Sequence, residues 1–218
     1  GERRLAAMLR LDAGEIRIGA SDMTLEFCLL PYLELFHGKY PNVKIAITNN
    51  PTPQTLELLK QGKIDFAAVS EPFDKTDFEV FALREIQDIF ICGEGCDTPD
   101  GVSIAEIKDD LILLECNTST RIFLDSEFQK RGFFSRPKFE LATSPQIVGF
   151  AARNMGIGCV VADFAKRNTG SGKIREIKVS EPLPQRNICV LRGNDVSSLA
   201  ADRLFKMILN GAGQQIRR

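Results

Sequence analysis

The sequence predicts an α/β fold made of two Rossmann-like lobes joined by strands that cross between them. Three observations carry this expectation. Strand-patterned and helix-patterned segments alternate along the chain; one strand, 64–69, is largely apolar, as a parallel strand covered on both faces is; and the alternation starts afresh after Gly93-Glu94-Gly95.

Residues 15–20, Glu-Ile-Arg-Ile-Gly-Ala, alternate polar and apolar side chains and read as a strand. Ser21-Asp22-Met23-Thr24 supplies residues that start helices, and residues 25–40 read as a helix. That helix is apolar on more than one side. Leu25, Leu29, Leu33 and Phe36 form one stripe, while Phe27, Leu30, Pro31 and Leu35 lie outside it, so one side is expected against its own sheet and the other against a partner. Residues 43–48 form a second strand, Asn49 to Pro53 a turn, 54–61 a helix stopped by Gly62, and 64–69 a largely apolar strand. Strand, helix, strand, helix, strand implies βαβ units with right-handed crossovers. Two more strands follow, at 78–83 and 86–92.

In the second half, 104–107 reads as a short helix, 111–115 as a strand and 120–130 as a helix closed by Gly132. A strand at 138–141, a helix at 145–154 and a strand at 157–162 come next, then strands at 174–179 and 187–191 and a helix at 196–210. The expected division is therefore 15–88 plus 195–218 for the first lobe and 92–189 for the second, with hinge crossings near 89–92 and 189–193.

The 218 residues carry 28 basic and 29 acidic side chains, a formal charge of -1. A nucleic-acid-binding module normally has a basic excess, because phosphate neutralisation supplies most of its affinity. Any DNA-contacting surface is therefore expected outside this chain. No run of about eighteen apolar residues predicts a membrane span. The opening Gly1-Glu2-Arg3-Arg4-Leu5 is too short and polar for a secretory signal and lacks Met, which fits a processed product or fragment. Six scattered cysteines (Cys28, Cys92, Cys96, Cys116, Cys159, Cys189) read as reduced thiols acting as small hydrophobes in a cytoplasmic protein. The proximity of Cys92, Cys96 and Cys116 leaves a redox switch or metal site as the alternative, although one histidine is little to build a metal site from.

Taken in order, Gly14-Glu15-Ile16-Arg17-Ile18-Gly19, Leu29-Leu30-Pro31, Phe36 with Tyr40-Pro41, Val43 to Ile47, and Leu59-Lys60-Gln61-Gly62-Lys63-Ile64-Asp65-Phe66 resemble the start of a LysR-type regulatory domain. Arg153-Asn154-Met155-Gly156-Ile157-Gly158-Cys159-Val160-Val161 continues the pattern, and the resemblance covers nearly the whole chain from Gly14 onward. It implies a fold like that of type 2 periplasmic binding proteins, used as an effector receptor in transcription regulation. It also implies an N-terminal winged helix-turn-helix and linker helix ahead of this domain. Residues 1–13, with Leu5, Met8, Leu9 and Leu11 on one helical face, are expected to be the tail of that linker. The DNA-reading part is expected to lie outside the 218 residues. A homodimer through helix 25–40 and strand 43–48 is the expected assembly, with a tetramer at full length.

Ligands of open α/β sheets sit outside the carboxyl ends of the strands. In the first lobe those ends lead into Ser21, Asp22, Met23 and Thr24, then Thr52, then Ser70 and Glu71. In the second they lead into Asn117, Thr118, Ser119 and Thr120, and into Ser144. Helix starts bearing small hydroxyls suit anions and polar groups, although each such residue is also an ordinary helix cap. The expectation is a small polar metabolite, amino-acid-like or an organic acid, in an interlobe cleft; Asp22 and Glu71 would repel a plain dicarboxylate and so favour a ligand that also carries a cationic or donor group. Contact positions implied by the resemblance match Thr24 and Thr52 best. Arg121 is expected to pair with Asp125 four residues on.

Two other readings compete. Asn117-Thr118-Ser119-Thr120-Arg121-Ile122-Phe123 is similar to a prephenate dehydratase motif, but Ile122 separates Arg121 from Phe123, and no catalytic set, metal spacing or phosphate loop accompanies it. No catalytic residue, metal ligand or cofactor is therefore assigned. An extracytoplasmic solute-binding protein would share the fold, and upstream sequence would separate it from a regulator by a signal peptide in place of a helix-turn-helix.

Overall fold

The computed structural model describes residues 1–2, 14–168, 173–194 and 197–215. The expected linker tail therefore lies outside the described residues, apart from Gly1 and Glu2. The chain divides into two compact units, 1–84 with 187–218 and 85–186. These boundaries fall a few residues earlier than the divisions read from the sequence.

The first unit is built on a sheet of order β2-β1-β3-β10-β4. Its strands are β1 (Glu15–Ala20), β2 (Lys44–Thr48), β3 (Phe66–Ser70), β4 (Glu79–Ile86) and β10 (Arg186–Arg192). β1 pairs parallel with β2 (Gly19 beside Thr48) and with β3 (Ala20 beside Ala68), so the carboxyl ends of all three share one edge. β10 runs antiparallel to β3. Between β1 and β2 lie α1 (Asp22–Thr24), a π-helical stretch (Leu25–Leu29) and α2 (Leu30–Lys39). The sequence predicts a single α-helix from residue 25, and Pro31 explains the difference. Proline has no N–H for the carbonyl four residues back and its ring crowds that carbonyl. The Phe27 carbonyl instead accepts the Arg84 guanidinium at 3.3 Å, and the preceding turn widens, with the Leu30 amide reaching Leu25. α3 (Thr52–Lys60) joins β2 to β3. Gly62, at φ 71°, turns the chain after it, where a side chain would be strained.

α7 (Leu199–Gln215) returns to this unit and packs on β1 and α2. Its Phe205 meets Phe66 edge-on at 5.5 Å, beside the fully buried Ile16 and Ile18. The expected start at Val196 lies outside the described residues.

The second unit has a sheet of order β7-β6-β8-β5-β9. Its strands are β5 (Asp88–Gly93), β6 (Leu111–Leu114), β7 (Phe139–Leu141), β8 (Ile157–Val161) and β9 (Ile174–Ile177). β6, β7 and β8 are parallel, and β5 runs against β8 and β9. β8 is buried along its whole length, which is why it reads as a continuous apolar run. A 3₁₀ helix (Ile104–Asp110), α4 (Ser119–Lys130), α5 (Ser144–Ala152) and α6 (Ala162–Asn168) complete it. α6 has no counterpart in the sequence reading: it follows β8 without a turn residue, so no punctuation marks its start. β5 belongs wholly to this sheet, so residues 89–92, expected as a crossing, are part of a strand. Phe90, Leu111, Leu113, Leu124, Phe128 and Cys159 are central to the core. Among the described residues, no helix is long and apolar enough to cross a membrane.

Candidate functional site

In the first unit, Ser21–Thr24, Thr52 and Ser70–Glu71 follow the carboxyl ends of β1, β2 and β3, and parallel pairing brings them to one sheet edge. Their chemistry differs. Ser21 Oγ accepts the Thr24 amide at 3.2 Å and donates to Thr24 Oγ1 at 2.9 Å, and Thr24 is buried. This pair holds the helix start, while Asp22 is exposed and Met23 buried. Thr52 is half-buried and opens α3, where Pro51 occupies the capping position and no side chain caps the helix. First-turn N–H groups of such a helix attract anions and polar acceptors.

Ser70 is buried. Glu71 Oε2 accepts Lys75 Nζ at 2.6 Å, and Oε1 accepts the Asn187 amide at 2.9 Å. Burial alone would raise this carboxyl, but those hydrogen bonds and the Lys75 charge outweigh it and hold it below 4.5. The repulsion expected of Glu71 toward an anion is thus offset by Lys75, which the sequence reading did not include.

In the second unit, parallel β6 and β7 bring Asn117–Thr120 and Ser144 to the carboxyl edge of their sheet. Thr118 Oγ1 accepts the Arg121 amide at 3.1 Å and donates to the Glu115 carbonyl at 2.9 Å, which is a helix cap. Asn117 is exposed, and Ser119 is buried. Ser144 opens α5 and is also buried, and Gln146 Oε1 accepts the Ala142 and Thr143 amides at 3.1 and 3.2 Å.

Thr120 is joined to a buried ion pair that the sequence reading missed. Arg186 Nε and Nη2 donate to Asp88 Oδ2 and Oδ1 at 2.7 and 2.9 Å, and Nη2 also donates to Thr120 Oγ1 at 3.0 Å. The guanidinium lies 5.0 Å from the Phe123 ring centre. A signal existed: Asp88 opens the apolar run Ile89-Phe90-Ile91-Cys92, and a charge at the head of a buried strand requires a partner. Its partner lies 98 residues away, out of reach of any local pattern.

Arg121 bonds Asp125 at 3.0 Å as expected, and also Glu140, Ser135 and the Leu114 carbonyl. It is a buried hub that locks α4 to β6 and β7. Among the described residues, no group of three or more His, Cys, Asp or Glu is placed to hold a metal ion. Two cavities of the first unit, about 510 and 380 Å³, are lined by Glu79, Arg192 and Asp202 and by Glu15, Ile64 and Asp65. None of the expected site residues lines either. The second adjoins the amino ends of β1 and β3, opposite the edge where such sheets take ligands.

The family model described as LysR substrate binding domain matches residues 10–213. A relative from Bacillus subtilis, named an uncharacterized HTH-type transcriptional regulator, YybE, is 26% identical over 208 residues, covering 92% of this chain and 69% of its own length. Across three curated relatives the chain spans 69%, 64% and 62% of their length. Among solved structures, the regulatory domain of CcmR from Synechocystis in complex with 2-PG superposes with a TM-score of 0.78 at 18% identity, over 90% of this chain and 97% of that one. The effector binding domain of QuiR in complex with shikimate gives 0.78 at 17%, over 93% and 98%. The two-sheet fold is the one these domains share, that of type 2 periplasmic binding proteins.

Proposed function

Because this chain belongs to the LysR substrate binding domain family, we propose that it binds a small polar metabolite, amino-acid-like or an organic acid, on the helix starts at the carboxyl edges of its sheets. The ligand is released unchanged, and its occupancy modulates DNA binding and transcription by a longer protein. The observation that carries this reading is Thr52: a half-buried hydroxyl at a helix start that no side chain caps, on the same edge as Ser21, Asp22, Met23, Thr24, Ser70 and Glu71. Asn117, Thr118, Ser119, Thr120 and Ser144 form the corresponding set in the second unit. The solved CcmR and QuiR domains hold 2-PG and shikimate, both small and polar, which supports this class of ligand.

DNA recognition is assigned to a helix-turn-helix outside these residues, since the net charge of -1 offers no phosphate-binding excess. Regulation requires the ligand to favour one conformation of the protein over another. A cytoplasmic location accompanies that role. Self-association is assigned to residues 25–40 and 43–48. Leu30 and Leu35 of α2 are 51% and 59% exposed, and β2 is an edge strand whose backbone can pair further.

A thermal-shift screen of amino acids and small organic acids tests the reading, because a ligand that binds only the folded state raises its midpoint. A screen in which no member of either class raises it, or in which Thr52→Val leaves the shift of a positive ligand unchanged, would overturn it.

A further inference from the structure

The segment Cys92-Gly93-Glu94-Gly95-Cys96 folds back on itself at the end of β5. The Cys96 amide donates to the Gly93 carbonyl at 3.1 Å, and the Gly95 amide donates to Asn154 Oδ1 at 2.9 Å, fastening the turn to the end of α5. Both glycines are needed there. A Cβ on Gly93 would lie 2.6 Å from the Ala151 carbonyl oxygen, and one on Gly95 would lie 2.9 Å from Asn154. The turn packs Cys96 against the core cluster that contains Cys92. Cys92 is fully buried and Cys96 is partly exposed at the margin of the same core. Arg175, beside Cys92 in the β5–β9 register, donates to the carbonyls of Cys96 and Thr98 at 3.2 and 2.5 Å.

We propose that Cys92 and Cys96 form a reversible oxidation site, which a hydroperoxide converts to an intrachain disulfide. Cys96 is the attacking thiol, because it alone of the two meets solvent. Its thiolate sulfur takes the distal oxygen of the peroxide: an S–O bond forms, the O–O bond breaks, and the departing hydroxide or alkoxide leaves as water or alcohol with a proton from solvent. The Cys92 sulfur then attacks the sulfenic sulfur. The S–S bond forms, the S–OH bond breaks, and the hydroxide takes the Cys92 proton as water. The two sulfurs lose two electrons in total and the peroxide gains two.

The local electrostatics agree with that order. Burial opposes ionisation of Cys96, but hydrogen bonds from Thr98 and Cys92 and the Arg175 charge prevail and lower it. Burial, together with Cys96, pushes Cys92 up to about 12, so it waits as the thiol. Cys116 is more exposed, yet its bond to the Glu140 carboxylate raises it and keeps it protonated. Exposure alone would select Cys116; thiolate character selects Cys96.

The test is peroxide treatment of the folded 218-residue chain, then alkylation under denaturing conditions and tryptic mapping. The peptide 85–108 contains these two cysteines and no other. The expected result is that peptide two hydrogens lighter and unalkylated, restored by dithiothreitol, with Cys116 reacting roughly ten-fold more slowly. In Cys92→Ala, Cys96 should stop at a sulfenic acid that dimedone captures, and in Cys96→Ser, Cys92 should remain alkylatable. Two alkyl groups on peptide 85–108 at a peroxide dose that oxidises Cys116 would overturn the proposal. So would protection of Cys92 in the Cys96→Ser chain. The wild-type map decides the matter even where Cys92→Ala fails to fold.

Discussion

Replacing Arg186 with Met removes one half of a pair whose side chains are 3% and 0% exposed. Asp88 would then be left buried with its bidentate partner gone, and Thr120 Oγ1 would lose its donor. Removing one partner of a buried ion pair costs about 3–5 kcal/mol, because the remaining charge has neither water nor a counter-ion. With a urea m-value of about 2 kcal/mol/M for the second unit, the unfolding midpoint should fall by roughly 1.5–2.5 M without a change in slope. Equilibrium urea unfolding followed by circular dichroism measures this directly. The double variant Asp88→Leu with Arg186→Met tests the cause: it buries no orphaned charge and should recover most of the loss. The reasoning is refuted if Arg186→Met shifts stability by under about 0.5 kcal/mol, the size of a surface substitution. It is refuted equally if the double variant is as unstable as the single one.

Thr52→Val should weaken the effector found by screening at least several-fold in calorimetry while leaving the melting midpoint of the free protein unchanged, since its hydroxyl caps nothing. Thr118→Ala, by contrast, should cost about 1 kcal/mol of stability in denaturant titration, because that hydroxyl caps α4. Gly93→Ala should destabilise by about 1–3 kcal/mol by the same titration, as the added carbon would meet a backbone carbonyl that cannot move aside. Glu71 has a depressed folded pKa, so its contribution is complete above its ordinary 4.5 and is lost as pH falls through the lower folded value. The stability gap between the wild type and Glu71→Gln should therefore be constant from neutral pH to about 4.5 and should shrink below that. Leu35→Glu should lower self-association in sedimentation velocity and leave the fold intact, given the exposure of that side chain.

Local pattern carried the fold a long way. Alternation marked β1, and a largely apolar run marked β3, because side chains on a strand repeat every two residues and a strand covered on both faces has little polar side. Gly62 and Gly132 marked helix ends, because φ of 71° and 86° suits glycine. The same reasoning placed Ser21, Thr52, Glu71, Thr118 and Ser144 after strand ends, where parallel pairing gathers them at sheet edges. α6 escaped because nothing punctuates its start, and the π-helical turn because its cause, Pro31, acts backward on Phe27.

The sequence by itself settled most of the strands and helices and their order, and which hydroxyls stand where helices begin. Only tertiary structure decided which of those hydroxyls are engaged: Thr24 by Ser21, Thr118 by its own helix, and Thr120 by Arg186. It also decided that Glu71 is neutralised by Lys75 and that Cys96 packs against the core that contains Cys92. The physical reason is range. Secondary structure follows from interactions within a few residues, whereas the partner of a buried charge is fixed by packing and can lie 98 residues along the chain.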